Sequence, residues 1–133
     1  MIYLDNAASG GKKPPEVIFS VQNALKNYSS NPGRSGHNGS INTALMVYNA
    51  RKTIVDFFGA DNEQNVVFTL NCTHALNYVI KGVLQENDHI VISSLEHNAV
   101  MRPVTKLQNI KNISYDMASV SEDDDITVEN FKK

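Results

Sequence analysis

Twice along the chain a short, nearly continuous apolar run gives way, across a polar turn, to apolar residues at helical spacing. The first run is Val66 to Leu70, the turn is Asn71 to His74, and Leu76, Val79, Ile80, Val83 and Leu84 follow at three- and four-residue intervals. The second run is His89 to Ser93, followed by a turn at Ser94 to Asn98 and a helical segment reaching about Leu107. A third strand is expected around Ile113 to Tyr115. Strands alternating with helices favour an α/β domain built on a parallel sheet, whose ligands bind at the C-terminal ends of the strands. Both polar turns fall at such ends.

Upstream, Ile2 to Leu4 is a short apolar start. The pair Pro14 and Pro15 then opens a helix whose apolar face is Val17, Val21, Ala24, Leu25 and Tyr28. Ser29 to Ser40 holds Pro32, Gly33, Gly36 and Gly39 among small polar residues and reads as a loop. Ile41, Ala44, Leu45, Tyr48, Val55 and Phe58 predict a second helix of about five turns that stops at Gly59. Glu122 to Asp125 reads as a solvated loop, and Thr127 to Lys133 as a helix that has barely begun. A chain that stops inside an element points to a truncated piece of a longer protein.

The 133 residues suffice for one compact unit, and 41% of them are hydrophobic. With 12 basic and 14 acidic residues the net charge is −2, so there is no basic field to attract nucleic acid or an anionic membrane. No window approaches the roughly 18 apolar residues of a membrane span. The single cysteine, Cys72, has no internal disulfide partner, and the N-terminus carries no secretory pattern, so a cytoplasmic, reducing location is expected.

Three segments could carry chemistry. At the Asn71 to His74 turn, free backbone amides and the Thr73 hydroxyl at a helix N-terminus suit a phosphate; equally, Thr73 could simply cap its own helix. Cys72 there could be a somewhat reactive thiol, though a small packing residue is the favoured reading. At Ser94 to Asn98, His97 could stack on a ring or shuttle a proton, and adjacent parallel strands would bring it to the same sheet edge as Thr73. In the Asn31 to His37 loop, Arg34 offers a planar cation that matches a carboxylate, and His37 an imidazole, on glycines that permit close approach. Each segment has a bland surface reading as well, and the three gain weight together.

Four motifs occur in order: YLDNAAS at residues 3–9, NPGRSGH at 31–37, NCTHALN at 71–77 and SSLEHNAV at 93–100. Together they resemble the cysteine desulfurase and selenocysteine lyase branch of the class V aminotransferase family, over nearly the whole chain. The resemblance implies the N-terminal part of a pyridoxal-phosphate-dependent transferase (fold type I) large domain, a mostly parallel sheet with flanking helices, with the small C-terminal domain absent from residues 1–133. It further implies pyridoxal 5'-phosphate as cofactor, a homodimer in the full-length protein, cysteine or a similar amino acid as substrate, and a sulfur-acceptor protein as partner. By that resemblance Cys72 and Thr73 hold the cofactor phosphate, His97 stacks on the pyridine ring as a catalytic residue, and Asn6, Ala7, Arg34 and His37 contact substrate. The chain departs from the family where alanine or threonine usually stands in place of Cys72 and glutamate often in place of His74.

No lysine from Lys12 to Lys133 follows a serine or threonine and a histidine, the context of the family's cofactor-binding lysine. The aspartate that pairs with the pyridine nitrogen and the mobile-loop cysteine are not assignable either. The chain alone is therefore expected to be catalytically silent, and, with its sheet cut short, to be poorly soluble or to self-associate. The resemblance implies cleavage of the carbon–sulfur bond of cysteine to give alanine and an enzyme persulfide. The alternatives are another class V reaction, such as transamination or selenocysteine cleavage, and a non-catalytic fragment serving as a binding or dimerisation module.

Overall fold

The computed structural model describes residues 2–34 and 36–132, so Ser35 of the glycine loop and Lys133 of the last expected helix lie outside the described residues. The chain divides into two compact units, Met1–Val67 and Phe68–Lys133.

The first unit carries two helices. Helix α1 (Pro15–Asn27) starts with Pro15 at its first position, where the missing N–H would have had no intrahelical partner. It buries none of its residues, and Val17, Phe19, Val21 and Leu25 are exposed. Helix α2 (Asn38–Phe58) ends at Gly59, whose φ of +66° is the left-handed conformation that glycine adopts without steric cost. Its buried residues are Ser40, Thr43 and Val55. The Ser40 hydroxyl donates to the Asn31 carbonyl at 2.7 Å and the Thr43 hydroxyl to the Gly39 carbonyl at 3.0 Å, so the helix start is tied into the loop before it. A single 3₁₀ turn, Glu63–Asn65, follows, opened by Asn62, whose side chain accepts from the Gln64 amide at 2.7 Å.

The second unit is the α/β part. Helix α3 (Cys72–Val83) leads through a short turn into strand β1 (His89–Ser93); helix α4 (Asn98–Lys111) connects β1 to strand β2 (Ser114–Ala118); helix α5 (Asp124–Lys132) follows. The strands pair in parallel, from His89 opposite Ser114 to Ser93 opposite Ala118. Ile80 and Leu84 of the α3 side, Val104 and Leu107 of α4, and Ile113 form the core, with Leu76, Ile90, Val100 and Tyr115 packed against it. The apolar pattern of α3 thus serves two faces: Ile80 and Leu84 are buried, whereas Tyr78, Val79 and Val83 are exposed.

At one end of the unit the helices are stitched together. Lys111 Nζ donates to the Leu84 carbonyl at 2.6 Å and reaches the Lys81 carbonyl at 3.5 Å, placing a cation on carbonyls at the end of α3. The Asn87 amide donates to the Lys111 carbonyl at 2.9 Å, and the Asn112 side chain donates to Asn87 Oδ1 at 2.8 Å. Asn87 and Asn112 both have positive φ, 64° and 52°, which asparagine tolerates better than most residues. Because both C-termini meet here and both helices run against β1, the N-termini of α3 and α4 lie at the other end, where β1 and β2 finish.

The expected α/β class and parallel pairing hold, with five differences in detail. Asn38 to Ser40, expected in the loop, are the first turn of α2, opened by the His37 cap. Val66 to Leu70 is not a strand: no described strand pairs with it, and Val67, Phe68 and Leu70 remain exposed. Intrinsic β preference does not make a strand without a partner to complete its hydrogen bonds. The third strand begins at Ser114 rather than Ile113, because Ile113 is spent in the core while the ladder starts opposite His89. Helix α4 runs past Leu107 to Lys111 and tolerates Pro103, whose buried ring packs in the core side of the helix. Asp124 and Asp125, read as solvated loop, form the first turn of α5; Asp123 Oδ1 accepts from the Asp125 amide at 2.9 Å and the Ile126 amide at 3.3 Å, and acidic groups suit a helix N-terminus.

Candidate functional site

At the start of α3 the cap is Asn71, not Thr73. Asn71 Oδ1 accepts from the His74 amide at 2.9 Å, and the Asn71 carbonyl accepts from the Ala75 amide at 3.1 Å. The same carbonyl accepts from the Thr69 hydroxyl at 3.0 Å, which braces the turn. The amides of Cys72 and Thr73, the first two of the helix, engage no other described residue, and neither does the Thr73 hydroxyl. Three donors are therefore open at a helix N-terminus, where the dipole favours negative charge. Cys72 is exposed at the first helical position, so the expected packing role does not hold: a side chain there projects from the helix end rather than into the α3–α4 core. His74 lies edge-on to Tyr78, their ring centroids 5.7 Å apart, on the same helix.

The second turn is built just as tightly. Glu96 Oε1 accepts from the Ser93 hydroxyl at 2.9 Å, closing the turn on the end of β1. The Ser94 amide donates to the Ala118 carbonyl at 2.9 Å, and the Val120 amide to the Ser94 hydroxyl at 3.2 Å, tying the turn to the end of β2. His97 follows as the N-cap of α4, with Nδ1 accepting from the Ala99 amide at 3.0 Å. An accepting Nδ1 carries no proton, which assigns the neutral ring with its proton on Nε2. The ring is thereby oriented by the backbone and exposed. Thr73 and His97 share one end of the second unit because of the way α3 and α4 are stitched, rather than through a strand at Val66 to Leu70.

In the first unit, Asp5 to Ser9 forms a turn in which the Ala8 and Ser9 amides donate to the Asp5 carbonyl at 3.2 and 3.1 Å. Asn6 Oδ1 accepts from the Gly11 amide at 3.0 Å, and Ala7 is exposed in the same turn. His37 caps α2, with Nδ1 accepting from the Ser40 amide at 3.2 Å. A Cβ on Gly39 would lie 2.6 Å from Ser30 Oγ and 3.3 Å from the His37 ring, so a larger residue there would make the Ser30 side chain turn away and press on the capping imidazole. Arg34 is exposed and engages no other described residue. Asn6, Ala7, Arg34 and His37 thus all sit in the first unit, and Cys72, Thr73 and His97 in the second.

Sequence reasoning missed two features. Asn71 was legible as an N-cap type directly before a helical pattern. The other is a chain across the ladder: His89 Nδ1 lies 2.8 Å from Ser114 Oγ and His89 Nε2 lies 3.3 Å from Asp116 Oδ2. Its residue types suggest a nucleophile and base, but His89 and Ser114 open β1 and β2 and Asp116 lies at mid-strand, away from the strand ends where the two turns lie. It depends on register and left no signal in the sequence. Among the described residues no group of three or more His, Cys, Asp or Glu could hold a metal ion, and no helix is long and apolar enough to cross a membrane.

Comparison with known proteins bears on the family and the fold. The family model for class V aminotransferases matches residues 2–133. A Borreliella burgdorferi protein named "probable cysteine desulfurase" is 31% identical over the whole of this chain, which covers 32% of that protein. The apo structure of a cysteine desulfurase from Thermococcus onnurineus superposes with a TM-score of 0.79 at 26% identity, over 90% of this chain and 30% of that one. A cysteine desulfurase structure from Escherichia coli gives a TM-score of 0.70 at 24% identity, over 96% of this chain and 34% of that one, a likeness of fold. The chain spans about a third of the length of the curated relatives it matches. On a family match that runs from residue 2 to residue 133, the chain belongs to the class V aminotransferases.

Proposed function

We propose that this chain supplies the phosphate-holding turn and the ring-stacking histidine of a pyridoxal-phosphate enzyme that removes sulfur from cysteine, leaving alanine and an enzyme persulfide. The observation that carries the reading is the open donor set at the start of α3. Two adjacent amides and the Thr73 hydroxyl lack partners among the described residues, while Asn71 satisfies the next two amides of the helix. That donor chemistry fits a phosphate dianion, and it lies at the same end of the unit as His97. The names of the relatives support the substrate.

The amides of Cys72 and Thr73 and the Thr73 hydroxyl would hold the phosphate, with Cys72 contributing its backbone rather than its thiol. The neutral His97 ring, fixed by its bond from the Ala99 amide, would present a flat face to the pyridine ring and keep its proton on Nε2. Arg34, with no other described partner, matches the carboxylate of an amino acid through two parallel hydrogen bonds. Asn6, Ala7 and His37 are proposed as further substrate contacts. When bound, pyridoxal phosphate supplies the electron sink for bond cleavage next to the amino-acid Cα. No lysine of this chain stands in the family's cofactor-binding context, so the covalent link is assigned to none of them.

Residues 1–133 are accordingly read as the N-terminal segment and first part of a large cofactor-binding domain. A homodimer, a sulfur-acceptor protein and a cytoplasmic location belong to the same proposal. The test is to express the complete reading frame that contains this chain, saturate it with pyridoxal 5'-phosphate and incubate it with cysteine. Equimolar alanine and reducible sulfur are expected. Cofactor binding with cysteine left intact would refute the assigned reaction.

A further inference from the structure

Resting on the phosphate reading above, we infer that Asn71 is a positioning residue whose neutral side chain caps α3 while leaving the Cys72 and Thr73 amides open to the cofactor phosphate. An N-cap side chain can accept from the second or the third amide of its helix. Here Asn71 Oδ1 takes the third, that of His74, at 2.9 Å, and the Asn71 carbonyl takes that of Ala75 at 3.1 Å. The choice of the third amide rather than the second keeps two consecutive donors, and with them the Thr73 hydroxyl, in one open group. A cap on the second amide would leave the open amides separated and occupy the Thr73 amide.

The side chain that does this is a carboxamide and not a carboxylate, although aspartate caps helices as well as asparagine does. With its oxygen engaged by His74, the remaining polar group of Asn71 is an NH₂, which can only donate. Aspartate would make the same bond to the His74 amide but bring a full negative charge to residues adjoining the phosphate donors. Capping and phosphate binding would then compete, as the neutral cap avoids.

The variants that separate the two roles are Asn71→Asp and Asn71→Ser, studied in the protein as expressed from its complete reading frame. For each, the thermal midpoint of the cofactor-free protein is measured, together with the dissociation constants of pyridoxal 5'-phosphate and of pyridoxal, which lacks the phosphate. Asn71→Asp is expected to keep or raise the midpoint yet weaken pyridoxal 5'-phosphate by about tenfold or more, leaving pyridoxal unchanged. Asn71→Ser, a neutral cap, should restore affinity close to that of the parent. If Asn71→Asp binds pyridoxal 5'-phosphate as tightly as the parent, or weakens both ligands equally, the inference is overturned while the phosphate reading stands. If the parent protein itself binds pyridoxal 5'-phosphate no better than pyridoxal, the phosphate reading fails first and this inference with it.

Discussion

Replacing His97 separates its work in the fold from the ring stacking proposed for it. Its Nδ1 takes the Ala99 amide at 3.0 Å, and Ala99 itself is only 7% exposed, so water is a poor substitute partner. His97→Ala should therefore cost more than a solvent-exposed cap, about 1–2 kcal/mol. With a urea dependence of about 1–3 kcal/mol per molar for a small domain, the unfolding midpoint should fall by roughly 0.3–2 M. His97→Asn retains a cap acceptor and should stay within about 0.5 kcal/mol of the parent. Both variants lose the aromatic face, worth about 1 kcal/mol of stacking, so both should bind pyridoxal 5'-phosphate roughly fivefold more weakly. Urea unfolding followed by circular dichroism, with cofactor titration on the same samples, reads both effects. Equal destabilisation by asparagine and alanine, or none by alanine, would refute the capping role. Nitrogen NMR of the imidazole gives a separate check, since Nδ1 should carry no proton.

Val104 has no exposed surface and lies among Ile80, Leu84, Leu107 and Ile113. Val104→Ala should cost about 2 kcal/mol in urea unfolding, from lost transfer energy and the cavity left behind. Lys111→Met removes the charge-assisted bond to the Leu84 carbonyl at 2.6 Å while keeping much of the apolar stem. A loss of about 1–2 kcal/mol is expected, and an unchanged midpoint would show that the ammonium does not hold the two helix ends. The Thr73 hydroxyl has no described partner, so Thr73→Val should leave the melting temperature of the cofactor-free protein nearly unchanged. It should weaken pyridoxal 5'-phosphate by about tenfold to a hundredfold, because a bond to a charged acceptor is worth about 1.5–3 kcal/mol. Equal weakening of pyridoxal would argue against a phosphate contact.

Most of the architecture was readable because it rests on local signals. The His89–Ser93 run, the proline-opened first helix and the glycine stop of the second each follow from residue types within a few positions, and each is found in the structure. Val66 to Leu70 went the other way: its residues prefer extended backbone, but a strand is defined by a neighbour, and no described strand pairs with it. Asp124 and Asp125 were read by charge alone, while their helix depends on the cap made by Asp123. At the candidate site, residue types singled out Thr73 and His97, but the caps made by Asn71 and His97 were not legible. Whether threonine or asparagine caps a helix turns on a one- or two-residue shift in where that helix begins.

What sets the site is largely remote from it. Lys111, Asn112 and Asn87 join the ends of α3 and α4 far from the two turns, and that junction fixes the helices side by side in the same direction. Since Thr73 and His97 occupy the starts of these helices, the open amides and the histidine ring inherit their common placement from bonds at the opposite ends. Each turn then needs only local means to finish the job: Asn71 decides which amides remain open, and the Ala99 amide decides which way the imidazole faces. The placement therefore does not require the unformed strand at Val66 to Leu70. The parallel β1–β2 pair, joined by α4 and braced by α3, is enough to bring the two turns to one end of the unit.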